Sequence, residues 1–315
     1  MTEQFHTDAH TLNRKMQIIL ITVGLVSAIV IAIRLAGNTP AIPGVLESGR
    51  SVRDMTSRDV NVPADARRIL SLCTSATDTI VAMGEADRLV AIDEYNTPVA
   101  GVEHAAVIGK GSAISKEQVL ALKIDLAFIW WYQDDSADML ERLGVPVVRI
   151  SSQRAWQVPE TIRLIGDCLG RPDKAGPLAA RVESFLERAP SQTAPTARVS
   201  TYIELYSPFR TVGGDSYMND LIDLAGGVNI AAQATGTVIL SPERLIQHEP
   251  DVILIVDGFG DKRSLSARPG MTGLKAVRNG RVHVIDRDIL IAGPSLPRAV
   301  EKLKKTLADQ GEPER

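Results

Sequence analysis

The sequence predicts an α/β protein: two similar lobes with mainly parallel sheets, joined by a long backbone helix and preceded by one N-terminal transmembrane helix. Three observations lead there. From residue 67 onward, short apolar runs alternate with helix-period stretches, which is the pattern of βαβ units and a parallel sheet. One such unit occurs twice, 126 residues apart, counted from Ser115 to Ser241. Residues 16–33 (MQIILITVGLVSAIVIAI) carry no charge and are bracketed by Arg14-Lys15 and Arg34.

Composition narrows the field. The 315 residues hold 35 Lys+Arg against 38 Asp+Glu, a formal net charge of −3, so the basic face of a duplex nucleic-acid binder is missing. With 44% hydrophobic and 23% charged residues the chain is globular rather than disordered. Cys73 and Cys168 are too few and too far apart for a disulfide framework or a zinc ribbon. His6, His10, His104, His248 and His283 share no metal-ligand spacing, so a chelated metal is expected in place of a bare ion.

The apolar run 16–33 would form a helix about 27 Å long, close to the thickness of a hydrocarbon core. Basic residues before it favour leaving that end in the cytoplasm and exporting the rest. A cleaved signal peptide competes, but the run is long for one and no small-x-small cleavage site follows. Residues 1–36 are therefore read as cytoplasmic tail and anchor or signal. Residues 37–65, with Gly, Pro, Ser and mixed charge and no apolar period, are read as a tether. The body is placed on the periplasmic side of the cell membrane.

The N-terminal lobe is assigned to 66–170. Its expected strands are 68–73 (RILSLC), 89–93 (LVAID), 125–131 (DLAFIWW) and 146–151 (PVVRIS), with helices at 78–83, 116–122 and 136–143. A connecting helix is assigned to 171–195, because Leu178, Val182, Phe185 and Leu186 fall at helical spacing. Pro177 is expected to be tolerated only in the first turn. The C-terminal lobe, 196–315, repeats the pattern with strands at 198–205, 252–257 and 281–286, helix 218–224, and a closing amphipathic helix over 294–308. In the internal echo, SKEQVLALKIDLAFI (115–129) aligns without a gap to SPERLIQHEPDVILI (241–255). Each copy reads as a Ser N-cap with an acid in the first turn, a short helix, an Asp-containing turn and a buried strand.

These features, with RILSLCTSATDTIVAMGEADRLVAID (68–93), GGDSYMNDLIDLAGGVNIA (213–231) and GRVHVIDRDILIAGPSLPRAVEKL (280–303), resemble the class III periplasmic substrate-binding proteins over residues 66–309. The resemblance implies two α/β lobes on a backbone helix. It also implies a role as receptor of an ABC importer for a ferric siderophore, haem or a corrinoid such as vitamin B12. The partners so implied are a chelated-metal small molecule and a permease dimer with cytoplasmic ATPase subunits. The receptor itself is expected to be a monomer and to carry no cofactor.

In two-lobed α/β folds the ligand sits at the carboxyl ends of the strands. Seven of the thirteen aromatics follow such ends: Tyr95, Trp130, Trp131, Tyr132, Tyr206, Phe209 and Phe259. Rings of this kind suit a flat polycyclic ligand, since they bury a large area at little side-chain entropy. By resemblance, the vitamin B12 binders carry a Trp at the step of Trp130. Arg210 offers paired donors to ligand carboxylates. Cys73 and Thr74 close the first strand, and Cys73 stands where the family more often has Ser. Lys110 and Gly111 sit in Ile-Gly-Lys-Gly-Ser, which lacks the spacing of a phosphate-binding loop.

Glu117 and Glu243 are equivalent residues of the echo. The resemblance makes them docking acids for arginines of the two permease subunits, while locally they also complement a helix N-terminus. Two other classes remain at this point. A membrane-tethered sensor would look identical here, but the fifteen residues before Met16 are short for a signalling domain. An exported α/β enzyme could use Asp93, Asp215 or Asp257, yet no nucleophile elbow, His-Glu-x-x-His or Cys-x-x-Cys accompanies them.

Overall fold

The computed structural model describes residues 49–189 and 198–311. The anchor over 16–33, the tail before it and the tether up to residue 48 lie outside the described residues. Among those described, no helix is long and apolar enough to cross a membrane.

The tether expectation fails over 49–63. Strands β1 (Gly49–Arg53) and β2 (Asp59–Pro63) pair antiparallel as a hairpin. Val52, Val60 and Val62 alternate with polar residues, a period-2 pattern that the surrounding charge hides. Val52 and Val62 are buried in the main core. The buried carboxylate of Asp54 organises the turn: it accepts from Thr56 N (2.9 Å), Thr56 Oγ1 (2.8 Å), Arg58 N (3.0 Å) and Arg58 Nε (3.1 Å). Desolvation works to raise its pKa, but these bonds outweigh it and hold the carboxyl below its ordinary value.

The first lobe follows in the expected order. Strand β3 (Ile69–Ser71) leads to helix α1 (Thr74–Ala82), β4 (Leu89–Ile92) and β5 (Ala106–Val107). A short antiparallel pair, β6 (Gly109–Lys110) and β7 (Ala113–Ile114), precedes α2 (Lys116–Ala121) and β8 (Leu126–Trp130). Helix α3 (Asp134–Arg142) and β9 (Val147–Ile150) complete a parallel sheet of order β5-β4-β3-β8-β9. Its strands are nearly continuous apolar runs because both faces are covered. Leu126 and Phe128 of β8 enter the core shared with the second lobe, while Ala127 and Ile129 face α2 and α3. Phe128 is fully buried, so Phe128→Ala would cost about 3–5 kcal/mol.

Helix α4 (Val158–Leu169) was not anticipated, although Val158, Ile162, Ile165 and Leu169 mark one face of it. It ends on Gly170, at φ 66°, and turns directly into α5 (Pro172–Arg188), the expected connecting helix. The two pack closely: a Cβ on Gly166 would stand 2.2 Å from that of Ala175. Pro177 lies beyond the first turn, contrary to expectation, and the helix runs through it. Being sixth in the helix, Pro177 deprives α5 of only one early hydrogen bond, to the carbonyl of Asp173.

The second lobe opens with β10 (Val199–Glu204), β11 (Arg210–Val212), α6 (Tyr217–Leu224), β12 (Gly227–Asn229) and β13 (Thr237–Ile239). Then come α7 (Pro242–His248), β14 (Val252–Val256), α8 (Lys262–Ser266), α9 (Lys275–Arg278), β15 (Val282–Ile285) and α10 (Leu296–Ala308). Its parallel sheet has the order β12-β10-β14-β15. Strand β14 lies between β10 and β15 as β8 lies between β3 and β9.

The echo is three-dimensional. Ser115 Oγ caps α2 by accepting from Gln118 N, and Ser241 Oγ caps α7 by accepting from Arg244 N. Each helix is followed by a non-glycine residue in the left-handed region, Lys123 at φ 51° and Glu249 at φ 43°, which stand at matching positions. The Asp125 carboxylate then accepts from Arg67 N and Arg68 N, and that of Asp251 from Ser200 N, each fixing the start of the lobe's first strand.

The lobes are also joined by polar contacts. Arg154 donates through Nε (2.9 Å) and Nη2 (2.6 Å) to the two carboxylate oxygens of Asp220 on α6. Asp78 on α1 accepts from Ser295 N at 3.0 Å.

Candidate ligand-binding cleft

A cleft of about 550 Å³ opens at the carboxyl ends of both sheets. The first lobe supplies Thr74, Asp93, Tyr95, Gly111, Trp130 and Tyr132 among its walls; the second supplies Tyr206, Phe259 and Arg287. The volume lies within the range of small-molecule sites.

Buried polar groups fix the turns that carry Tyr95, Trp130, Tyr132 and Tyr206. Asp93, at the end of β4, accepts from Asn96 Nδ2 (2.6 Å) and from Gly111 N (2.9 Å), tying the turn that carries Tyr95 to the β6–β7 hairpin. Burial raises the Asp93 pKa, and these bonds only partly offset it. Gly111 sits at φ 59°, and a Cβ there would meet Tyr95 Cε2 at 3.4 Å. Trp130 N donates to the buried Gln133 Oε1 at 2.8 Å, which fixes the turn leading to Tyr132. In the second lobe Glu204, fully buried at the end of β10, accepts from Phe209 N (2.8 Å) and from Arg268 Nη1 (2.6 Å) and Nη2 (2.8 Å). That anchors the loop presenting Tyr206, whose ring meets Phe259 at 5.4 Å between centroids.

Arg287, in the turn after β15, lies 4.8 Å from the Phe259 ring centroid and 5.5 Å from that of Tyr95. It is the cation of the cleft wall. Desolvation pushes the Tyr132 phenol up to about 12 and raises that of Tyr206, so both are neutral hydrogen-bond donors near pH 7.

Seven of the residues expected at the site line this cleft: Thr74, Tyr95, Gly111, Trp130, Tyr132, Tyr206 and Phe259. Five do not. Cys73 is fully buried as the residue before α1, packed in the core, with its thiol pushed up to about 12 by desolvation. Lys110 points to Glu94 (3.1 Å). Trp131 stands outside the wall with its ring edge-on to Tyr132, 5.6 Å between centroids. Phe209 packs beneath the Arg268 guanidinium at 4.9 Å, and Arg210 is exposed on β11. Neighbours in these turns point to different sides, and left-handed backbone at Tyr206 and Phe209 (φ 72° and 61°) turns the chain between the ring that lines the cleft and the two residues that do not. Arg287 was missed although it directly follows the expected strand 281–286, and reading that strand end like the others would have found it.

Asp215 accepts from Gly236 N and Asp257 is exposed at a strand end. Among the described residues, no group of three or more His, Cys, Asp or Glu could hold a metal ion.

Rings from two pseudo-equivalent sheets facing one cavity, with the packed helices α4 and α5 joining the lobes, define a two-lobed binding protein. The match with known proteins is specific: the chain belongs to the periplasmic binding protein family, whose pattern it fits over residues 69–289. It is 28% identical over 269 residues to YvrC, an ABC transporter substrate-binding lipoprotein of Bacillus subtilis, covering 82% of this chain and 85% of that one. It is 25% identical over 201 residues to the vitamin B12-binding protein of Yersinia pseudotuberculosis, covering 62% and 72% respectively. Among solved structures, the periplasmic heme-binding protein RhuT from Roseiflexus superposes with a TM-score of 0.69 at 25% identity, covering 78% of this chain and 99% of that one. The molybdate-binding MolA of Haemophilus influenzae superposes with a TM-score of 0.70 at 20% identity, over 82% and 91%, which shows a common fold.

Proposed function

We propose that this chain is the substrate-binding receptor of an ABC importer, exported and held at the outer face of the cell membrane by its N-terminal apolar segment. Its cargo is a chelated metal of the siderophore, haem or corrinoid class, passed to a permease dimer. The observation carrying this reading is the cleft: Tyr95, Trp130 and Tyr132 face Tyr206 and Phe259 across it, with one guanidinium among them. Such walls favour a broad, partly apolar ligand, and Arg287 favours one bearing carboxylates. The family membership and the roles of its relatives agree with an import receptor and not with an enzyme. Glu117 and Glu243 are exposed on α2 and α7. In a βαβ unit the helix runs antiparallel to its strands, which would turn both N-termini toward the carboxyl edge of the sheets, where a docked permease would cover the ligand.

The test is a titration of the full chain in detergent with haem, cyanocobalamin and ferric siderophores, following tryptophan fluorescence and visible absorption. One of them should saturate at one to one, with most of the quenching lost in Trp130→Phe. If none quenches or shifts a spectrum, the chelate reading fails.

A further inference from the structure

The echo carries more than its acids on its outer face. Leu120 on α2 and Ile246 on α7 occupy matching positions and are 51% and 45% exposed. The residue just before each, Val119 and Leu245, is buried against its own sheet. Leu120 and Ile246 each lie three residues beyond the acid, one turn along the same helical flank. A single exposed aliphatic needs no explanation on a protein surface. Here the same pairing of carboxylate and branched aliphatic stands at both stations, while exposed positions beside them differ: Gln118 against Arg244, and Ala121 against Gln247.

We propose that Leu120 and Ile246 form the apolar half of a two-point docking surface whose occupant is a two-fold permease dimer. The proposal rests on the receptor reading above and deepens it. Two like stations on one chain fit a partner that presents one surface twice, which is what a symmetric dimer does. The acid at each station requires a cation opposite it, and the aliphatic requires an apolar socket one helical turn away. An exposed ion pair alone is weak in water. An aliphatic that seats beside it excludes solvent and gives the contact its strength, as at the centre of other protein interfaces.

The experiment places the photocrosslinker p-benzoylphenylalanine in the full chain at position 120, 246, 116 or 239, in membranes of the native host. Position 116 adjoins the acid Glu117, and Ile239, 75% exposed on β13, is the control for exposed apolar surface elsewhere. Positions 120 and 246 should each give an adduct with the same polytopic membrane protein, and position 239 none. Leu120→Ser with Ile246→Ser should lower the adduct yield from position 116 at least tenfold, with ligand titrations unchanged. An adduct from 116 but none from 120 and 246 overturns the apolar contact and leaves the receptor reading standing. So does an adduct from 120 or 246 with a second copy of this chain, or with two different proteins. No polytopic adduct from any position overturns both.

Discussion

The guanidinium of Arg287, carried by the second lobe, stands 5.5 Å from the ring centroid of Tyr95, carried by the first. The same group lies over Phe259, so one cation bridges rings from both sides of the cleft. Among the described residues lining the cleft the carboxylate is the buried Asp93, and its oxygens are engaged by Asn96 and Gly111. Arg287→Ala should weaken binding of a carboxylate-bearing chelate such as haem about tenfold or more, the loss of a charge-assisted hydrogen bond. Binding of cyanocobalamin, whose side chains are amides, should change far less. Equal losses for both ligands in fluorescence titrations would place Arg287 in a packing role instead.

Arg154 holds the lobes together from behind. Asp220 is buried, and its carboxylate receives both Arg154 nitrogens and Ala155 N. Arg154→Ala leaves that charge without its partner and should destabilise the protein by about 3 kcal/mol in urea melts. Arg154→Lys should restore only part of the loss, because an ammonium cannot span both oxygens in the plane of the carboxylate.

Glu85 sets an acid limit. Desolvation works to raise its carboxyl pKa, but hydrogen bonds from Lys174 (2.6 Å) and Arg171 (3.0 Å), with the charge of Arg88, outweigh it and hold the value at about 2. A carboxyl depressed in the folded state stabilises above its ordinary value of 4.5 and loses that contribution as pH falls toward 2. The contribution is about 3 kcal/mol at most. Glu85→Gln should lower stability at pH 7 and flatten the pH dependence between 4.5 and 2 in chemical melts. An unchanged slope would assign the acid sensitivity to other carboxylates.

Cys73 tests whether the cleft uses a thiolate. Buried and with its thiol at about 12, it should resist a thiol reagent in the native protein, as should the buried Cys168. Both should react on unfolding in urea. Rapid native labelling of one thiol, blocked by a bound chelate, would put Cys73 in the site after all.

The proposed docking through Glu117 and Glu243 predicts that uptake and capture separate. Glu117→Ala with Glu243→Ala should abolish uptake and leave ligand affinity intact, because both side chains are exposed outside the cleft wall. A parallel loss of affinity would show that the acids shape the cleft instead of the docked complex.

The sheet strands were legible because burial on both faces writes unbroken apolar runs, as in β8 and β14. The echo was legible for a second reason: N-cap, turn and strand must appear in a fixed order whichever lobe they build. The hairpin over 49–63 was not, since Val52 and Val62 are sparse apolar residues among charges, and the partner they pack on is distant in sequence. Within the site, strand ends located the cleft but not the side each residue faces. Trp130 and Trp131 look alike in a row of letters, yet only the first lines the cavity. Glu204 and Gln133, which aim the rings, act by burial and hydrogen bonding that no local pattern announces.

The likeness of α2–β8 to α7–β14 also bears on orientation. A body with two like ends can seat on a two-fold partner in two headings, half a turn apart, and equal headings would double the productive encounters, worth ~0.4 kcal/mol. The partner's own two-fold axis would make the two headings equal in energy, even though the echo changes charge at Lys116 against Pro242, Gln118 against Arg244 and Lys123 against Glu249. Those three pairs would instead make the two halves of the partner unlike once the receptor has seated.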